Sequence, residues 1–361
     1  MQLIDSETAK VPAEVAPPEA EEGAEQDIGL AKRFFNLKTL VSFAVAFLIL
    51  YLLMRNVKMD VGATIQTIGS ANLGLYAVGF AIYYLGFPIR GLRWQRMLAN
   101  AKSEDDPTGR PMTLSVLTQI IYVSWFANCL VPAKLGDLVR AYMLKREGSV
   151  RVLKGMGTIL AERLLDLAVL LVLLSVAGMV SMRDKLPPDV SHALELGFVL
   201  VGVAGLGLLA MRQLDALVQR FVPARFQERY TRFHEGALRS FRDFPFILAM
   251  TLLAWLAEAG RLLFVTWSLG VHLSPDLPTE LLMITFIALA SAALTALPVT
   301  PAGLGLVEAL IVKAFAWAAA ASGVQIANET VWSVAILDRS ISYGSIIVLG
   351  MFVYIVMSRR K

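Results

Sequence analysis

Six uninterrupted apolar runs, Thr39 to Met54, Leu73 to Ile89, Thr158 to Ser181, His192 to Met211, Phe246 to Val271 and Val331 to Met357, limit what this chain can fold into. In a hydrocarbon layer about 30 Å thick every backbone N–H and C=O has to find its partner within the protein, so spanning runs of this length become helices. A hydrophobic fraction of 57% and a mean hydropathy of +0.63 set the chain apart from a soluble domain. The expected fold class is all-α: a polytopic helical membrane protein with about six full spans, two broken or re-entrant helical hairpins and an inverted internal repeat.

The repeat is legible in a charged, Pro/Gly-broken phrase. Pro132-Ala133-Lys134-Leu135-Gly136-Asp137-Leu138-Val139-Arg140-Ala141 returns, with one gap at Asp137, as Pro301-Ala302-Gly303-Leu304-Gly305-Leu306-Val307-Glu308-Ala309. Charged positions recur 168 residues apart: Arg90 with Glu258, Arg93 with Arg261, Arg140 with Glu308. Ile159-Leu160-Ala161-Glu162-Arg163 returns more loosely as Ile336-Leu337-Asp338-Arg339. Pro132, Gly136, Pro301, Gly303 and Gly305 are the expected helix breaks, and broken helices in matching halves of an apolar chain point to the binding site of a transporter built from repeats. Residues 73–181 form the first copy and 245–357 the second. A single connecting span, 192–211, lies between them, and an odd number of crossings turns the second copy upside down.

Thr113 to Val131 is apolar enough to enter the membrane, but the segment after Pro132 is too charged to cross back. A re-entrant hairpin opening to the cytoplasm is expected there. Its counterpart over 281–321 reads equally as a hairpin or as two complete spans. Twenty-four basic residues gather on one side of this scheme, against Arg55, Lys58, Arg183 and Lys185 on the other. Both termini are therefore expected in the cytoplasm and the protein in the cell's inner membrane. Residues 1–31 hold eight acidic residues against Lys10 and read as a disordered acidic tail, which leaves +11 on the membrane domain, 32–361, of a chain with formal charge +4. Residues 212–244 alternate arginine with phenylalanine and tyrosine and read as a basic interfacial helix or an ordinary linker.

A charge at mid-membrane costs about 2.5–3.5 kcal/mol, so each one asks for a partner or a task. The candidate substrate-binding residues are Lys134, Asp137, Arg140, Glu308, Arg90, Arg93, Glu258 and Arg261. Helix N-termini restarting after the breaks would present unpaired N–H groups, and Lys134 and Arg140 would add charge for a phosphate. The alternative for Arg140 and Glu308 is a salt bridge clamping the two copies. Glu162, Arg163, Asp166, Asp338 and Arg339 are coupling or structural pairs, with Arg163 expected to pair locally with Glu162 or Asp166. The first copy is richer in cations and the second in carboxylates, a combination suited to a head group bearing both phosphate and amine. Cys129 reads as a small buried apolar residue, and His192, His234 and His272 fall outside the broken segments. No metal, no cofactor and no catalytic residue is expected.

At these residues the chain resembles the transmembrane region of the lysylphosphatidylglycerol synthetases, a flippase-like family of bacterial and archaeal membrane proteins. The marks are Arg93-Trp94, Pro132 through Arg140, Glu162-Arg163 with Asp166, the Pro301 to Glu308 turn, and Asp338-Arg339, together covering roughly Leu37 to Tyr354. Asp137 stands where the family would have Glu, and Ala302 where glycine is common. The resemblance implies a lipid translocase moving a phospholipid or aminoacyl-phospholipid between leaflets. The soluble synthetase domain is not among these residues, so the expectation is a non-enzyme that does not make the lipid. The partner expected is membrane phospholipid, without nucleic acid, while a homo-oligomer and a separately encoded lipid-modifying enzyme stay open. The alternative reading is a membrane enzyme or accessory subunit acting on polyprenyl-phosphate or lipid-linked sugar. A carrier for a soluble ligand is third.

Overall fold

The computed structural model describes residues 37–56, 59–101, 112–130, 135–148, 150, 152–182, 188–213, 227, 234, 236–296 and 299–359. The acidic tail, Pro132, Lys134 and most of the 212–244 segment lie outside the described residues. The described residues are predominantly helical: α1 Leu37–Asn56, α2 Val61–Gly69, α3 Leu73–Asn100, α4 Leu114–Leu130, α5 Gly136–Gly148, α6 Val152–Met182, α7 Pro188–Gln213, α8 Phe244–Ser268, α9 Leu277–Thr295, α10 Leu306–Ser322, α11 Asn328–Arg339 and α12 Ser345–Ser358. A short 3₁₀ turn, Pro301–Gly303, precedes α10, and a π-turn, Ser340–Gly344, joins α11 to α12 into one long rod.

Local chemistry sets several of the ends. Asp60, Asn72 and Asp276 each accept a backbone N–H of the first turn they precede, satisfying donors that have no partner inside a helix. Gly323, at φ 72°, closes α10 in the left-handed conformation.

Seven helices among the described residues are long and apolar enough to cross a bilayer: residues 73–100, 152–181, 190–207, 244–268, 277–295, 301–322 and 328–358. The count departs from six at two places. The ambiguous 281–321 stretch becomes two helices of spanning length, because its apolar surface is not interrupted by the charges that shorten α5. The first run does not stand alone: α1 and α2 meet at 97°, and counting them as one bent span makes eight. In the first copy the hairpin stays short. At 1.5 Å per residue the 13 residues of α5 reach about 20 Å, well under the hydrocarbon thickness.

A second correction concerns the arginines after Ile89. The second apolar run ends at Ile89 and the arginines beyond it count among the twenty-four basic residues of one side, but α3 runs on as helix to Asn100 and takes Arg90 and Arg93 into the interior. Arg93 has no exposed surface at all. The neighbouring helices supply carboxylates for both, so continuing the helix is favourable where a bare arginine would not be.

The centre of the fold is the pair α3 and α8, which occupy equivalent places in the two copies and pack antiparallel. The contacts obey the 168-residue shift. Asn72 N donates to Ser268 O at 2.7 Å, and the equivalent pair exchanged between copies, Asn100 and Ser240, makes a hydrogen bond of 3.3 Å. Arg93 reaches Thr251 at 2.7 Å, and its mirror contact is Arg261 over the Tyr83 ring at 5.3 Å. Arg90–Glu258 is its own mirror image and so lies on the pseudo-two-fold axis. Around this pair α6 packs on α9 and, symmetrically, α12 packs on α4.

Candidate functional site

Both hairpins are broken where the repeated phrase falls. In the first copy Gly136 starts α5, its N–H donating to the Asn128 side chain at 2.9 Å. A Cβ at Gly136 would lie 2.2 Å from the Ser124 carbonyl oxygen, a backbone atom that cannot move aside, so only glycine fits. In the second copy the chain turns through Ala302 (φ 45°), Gly303 (φ 71°) and Gly305 (φ 85°) before α10 begins. Ala302 thus stands in the left-handed region that glycine adopts freely, and occupies it under strain. Glu308 closes the restart by accepting the Gly305 N–H at 2.6 Å.

The breaks set their first-turn acids against arginines of the same copy. Asp137 takes Arg163 in a two-pronged contact of 2.7 and 3.1 Å, and Glu308 takes Arg339 at 2.9 Å. Arg339 also donates to the Ala302 carbonyl at 3.1 Å, tying the second turn to α11. Deeper in the first copy, Glu162 accepts from Arg93 (2.7 Å) and Arg140 (2.6 Å), while Asp166 accepts from Arg93 at 2.5 Å. The second copy repeats the Arg93–Glu162 pair as Arg261–Asp338. Between the copies, Glu258 joins Arg90 (3.0 Å) to Arg261 (3.4 Å). Four of the arginines also lie over aromatic rings: Arg90 on Trp125, Arg140 on Trp94 at 3.8 Å, Arg261 on Tyr83, Arg339 on Tyr343.

Two sequence expectations fail here. Arg140 and Glu308 do not bridge the copies, because each finds a nearer partner within its own copy, Glu162 on α6 and Arg339 on α11, and an ion pair that does join the copies is Arg90–Glu258. Arg163 does not pair with its helix neighbours Glu162 and Asp166, because Arg93 and Arg140 already hold those carboxylates and Asp137 is presented by α5.

A cavity of about 240 Å³ opens between the copies. Arginines 90, 163, 261 and 339 and the carboxylates of Asp166, Glu258 and Asp338 line it, along with Tyr83, Trp125 and small residues of α9. Arg93, Arg140, Asp137, Glu162 and Glu308 are not in its wall. They hold the lining charges or their helices from behind. Sequence reasoning missed Thr300, Trp255 and Ser342, uncharged lining residues which, with Arg261, each keep one buried polar atom without a hydrogen-bond partner among the described residues. Their only signal in the sequence is closeness to Pro301, Glu258 and Arg339. Cys129 is buried, as expected, and also lines the cavity. Among the described residues no group of His, Cys, Asp and Glu is arranged to hold a metal ion.

Residues 39–350 match the family described as the lysylphosphatidylglycerol synthase TM region. The chain belongs to that family. Relatives within reach of this lysylphosphatidylglycerol synthase TM-region protein include a UPF0104 membrane protein of Methanocaldococcus jannaschii, 28% identical over 65% of this chain and 95% of the relative. A UPF0104 membrane protein of Methanothermobacter thermautotrophicus is 23% identical over 87% and 92%. The glycosyltransferase AglD of Haloferax volcanii is 25% identical over 72% of this chain, a match that takes in 46% of AglD. In this family member the charged marks noted in the sequence converge on one place: Asp166, Asp338 and Arg339 line the cavity, Arg93 holds Asp166, and Glu162 holds Arg93 from behind.

Proposed function

We propose that this protein moves the polar head group of a phospholipid, or of an aminoacyl-phospholipid, between leaflets while the acyl chains stay in the bilayer. One observation carries this reading: a charged cavity on the pseudo-two-fold axis between two inverted copies, lined near mid-helix by Arg90 and Glu258. Its 240 Å³ falls below the roughly 300–1,000 Å³ of sites that enclose a whole drug-sized ligand, which suits a head group and leaves no room for two acyl chains. Four arginines facing three carboxylates favour a ligand carrying both charges over a bare polyanion. The unpaired polar atoms of Arg261, Thr300, Trp255 and Ser342 supply further hydrogen-bonding capacity.

The test is reconstitution into liposomes carrying fluorescent phosphatidylglycerol, phosphatidylethanolamine or lysylphosphatidylglycerol in one leaflet. Protein-dependent appearance of at least one of them in the other leaflet is expected. Flux no faster than in empty liposomes for all three rejects the reading. Arg90→Gln and Glu258→Gln, if monodisperse, should each slow the flux about tenfold or more.

A second reading, an enzyme or accessory subunit acting on polyprenyl-phosphate or lipid-linked sugar, is favoured by the similarity to AglD, whose name is that of a glycosyltransferase. The carboxylates of the cavity would have to serve as acid or base, yet each already accepts from an arginine and would have to give up that contact to reach a substrate. Turnover of a polyprenyl-phosphate sugar by the purified protein would establish that alternative.

A further inference from the structure

The two first-turn acids and their arginines are the same device built twice, and they differ in one measurable respect. Asp137–Arg163 joins α5 to α6 and Glu308–Arg339 joins α10 to α11, each arginine lining the cavity. Because the copies are inverted, the pairs sit toward opposite ends of the antiparallel α3–α8 core: Arg163 follows Glu162, which holds Arg93, and Arg339 follows Asp338, which holds Arg261. The side chains of the first pair are 37% and 28% exposed, those of the second 9% and 9%.

The surroundings differ in the same sense. At the second pair Pro301 and Gly303 are buried, and α1 lies across the turn, with the Ala46 carbonyl oxygen 2.8 Å from where a Cβ on Gly305 would sit. Arg339 and Glu308 also spend their remaining hydrogen bonds on Ala302 and Gly305, drawing the turn shut. At the first pair Leu138 is 48% exposed, as is about a third of Leu167 in the cavity wall.

We propose that the cavity has a gate at each end, open in this conformation beside Asp137–Arg163, where the pair is formed but exposed, and closed beside the buried Glu308–Arg339, and that the cavity opens to the other face of the membrane when Arg339 releases Glu308. The purpose of the gates rests on the transport reading. Their existence does not.

Water access to introduced cysteines tests this without any lipid measurement. In a Cys129→Ser background, Leu167→Cys reports the open end and Thr300→Cys the closed one, both lining the cavity. Right-side-out and inside-out membrane vesicles carrying the full chain are exposed to a membrane-impermeant sulfonated maleimide. Leu167→Cys should be modified from one face only and Thr300→Cys from neither. Adding Glu308→Gln keeps an oxygen for the Gly305 N–H but removes the charge that holds Arg339. It should raise modification of Thr300→Cys about tenfold or more, from the face opposite to that of Leu167→Cys. Arg339→Lys, which loses the planar fork, should do the same, and Arg163→Gln should leave Thr300→Cys protected. Protection of Thr300→Cys in both the Glu308 and Arg339 variants, its modification from the same face as Leu167→Cys, or a Leu167→Cys that reacts from neither face would each overturn the proposal. Lipid flux in native vesicles alongside any of these would leave transport standing and remove the gates. Gated labelling without flux would do the reverse.

Discussion

Arg93 shows what a guanidinium needs in order to sit where no water reaches it. Its two terminal nitrogens are shared among Glu162, Asp166 and Thr251, and removing the cation takes the arginine from Asp166 and leaves Glu162 to Arg140 alone. Breaking a buried pair from one side costs about 3–5 kcal/mol, whereas a pair as wet as Asp137–Arg163 is worth about 0.2–1 kcal/mol. Arg93→Ala should therefore lower the melting temperature in detergent strongly or prevent folding, while Arg163→Gln should leave it nearly unchanged. Similar losses for the two would mean that burial does not separate their roles. Ala302 gives a prediction of the other sign. An alanine at φ 45° is strained by about 1–2 kcal/mol relative to glycine, so Ala302→Gly should stabilise the protein by about 1 kcal/mol, read as a rise in melting temperature. At this scale the sequence reveals which residues matter but not whom they bind. Spacing brings Arg140 and Glu308 into equivalence, yet each partner is selected by reach: Glu162 lies on the helix that α5 packs against, and Glu308 is spent on Arg339 and the Gly305 N–H.

Helix breaks were legible because their chemistry is local. Pro301, Gly303 and Gly305 cannot continue a helix in the conformations they adopt, and Gly136 is demanded by the carbonyl of Ser124. Gly136→Ala should dislodge α5 from α4, and limited proteolysis of the variant should cut near residue 136 where the native chain resists; an uncut variant would mean the hairpin can absorb the clash. At the start of α9, the N–H and hydroxyl of Thr279 hold the Asp276 carboxyl below its ordinary pKa. A lowered carboxyl pKa stabilises the fold in full above the unfolded-state value and loses that stabilisation as pH falls through the folded-state value. Acidification across that window should thus loosen the first turn of α9, seen as faster amide exchange at Thr279, and Asp276→Ala should make exchange there fast at neutral pH as well. Other features at this scale had no sequence signal. The π-turn at Ser340–Gly344 and the 97° angle between α1 and α2 arise from packing against distant helices, where Tyr83 donates to the Ser342 carbonyl and Ser333 to that of Thr64.

For the whole molecule the decisive clue was a number, the 168-residue shift, because an inverted repeat turns equal spacing into contact across an axis. A residue and its equivalent can touch only on that axis, and Arg90 with Glu258 does so at 3.0 Å. The equivalence also fixes what happens when the pair is exchanged. Glu258 lies three residues before Arg261 and bonds to it, so Arg90→Glu with Glu258→Arg would take that acid from Arg261 and put a glutamate three residues before Arg93. The exchange is symmetric in geometry but not in need: Arg93 already holds Glu162 and Asp166, while Arg261 would keep Asp338 alone. Each single reversal places like charges together in the buried centre and should cost at least the 3–5 kcal/mol of a broken pair. The double reversal should recover part of that loss, with a coupling of about 1–3 kcal/mol in a thermal-denaturation cycle, and should remain less stable than the native chain. A cycle with no coupling would remove Arg90–Glu258 from the axis. Full recovery would mean that the two copies tolerate either sign of charge equally, against the unequal supply of acids around Arg93 and Arg261.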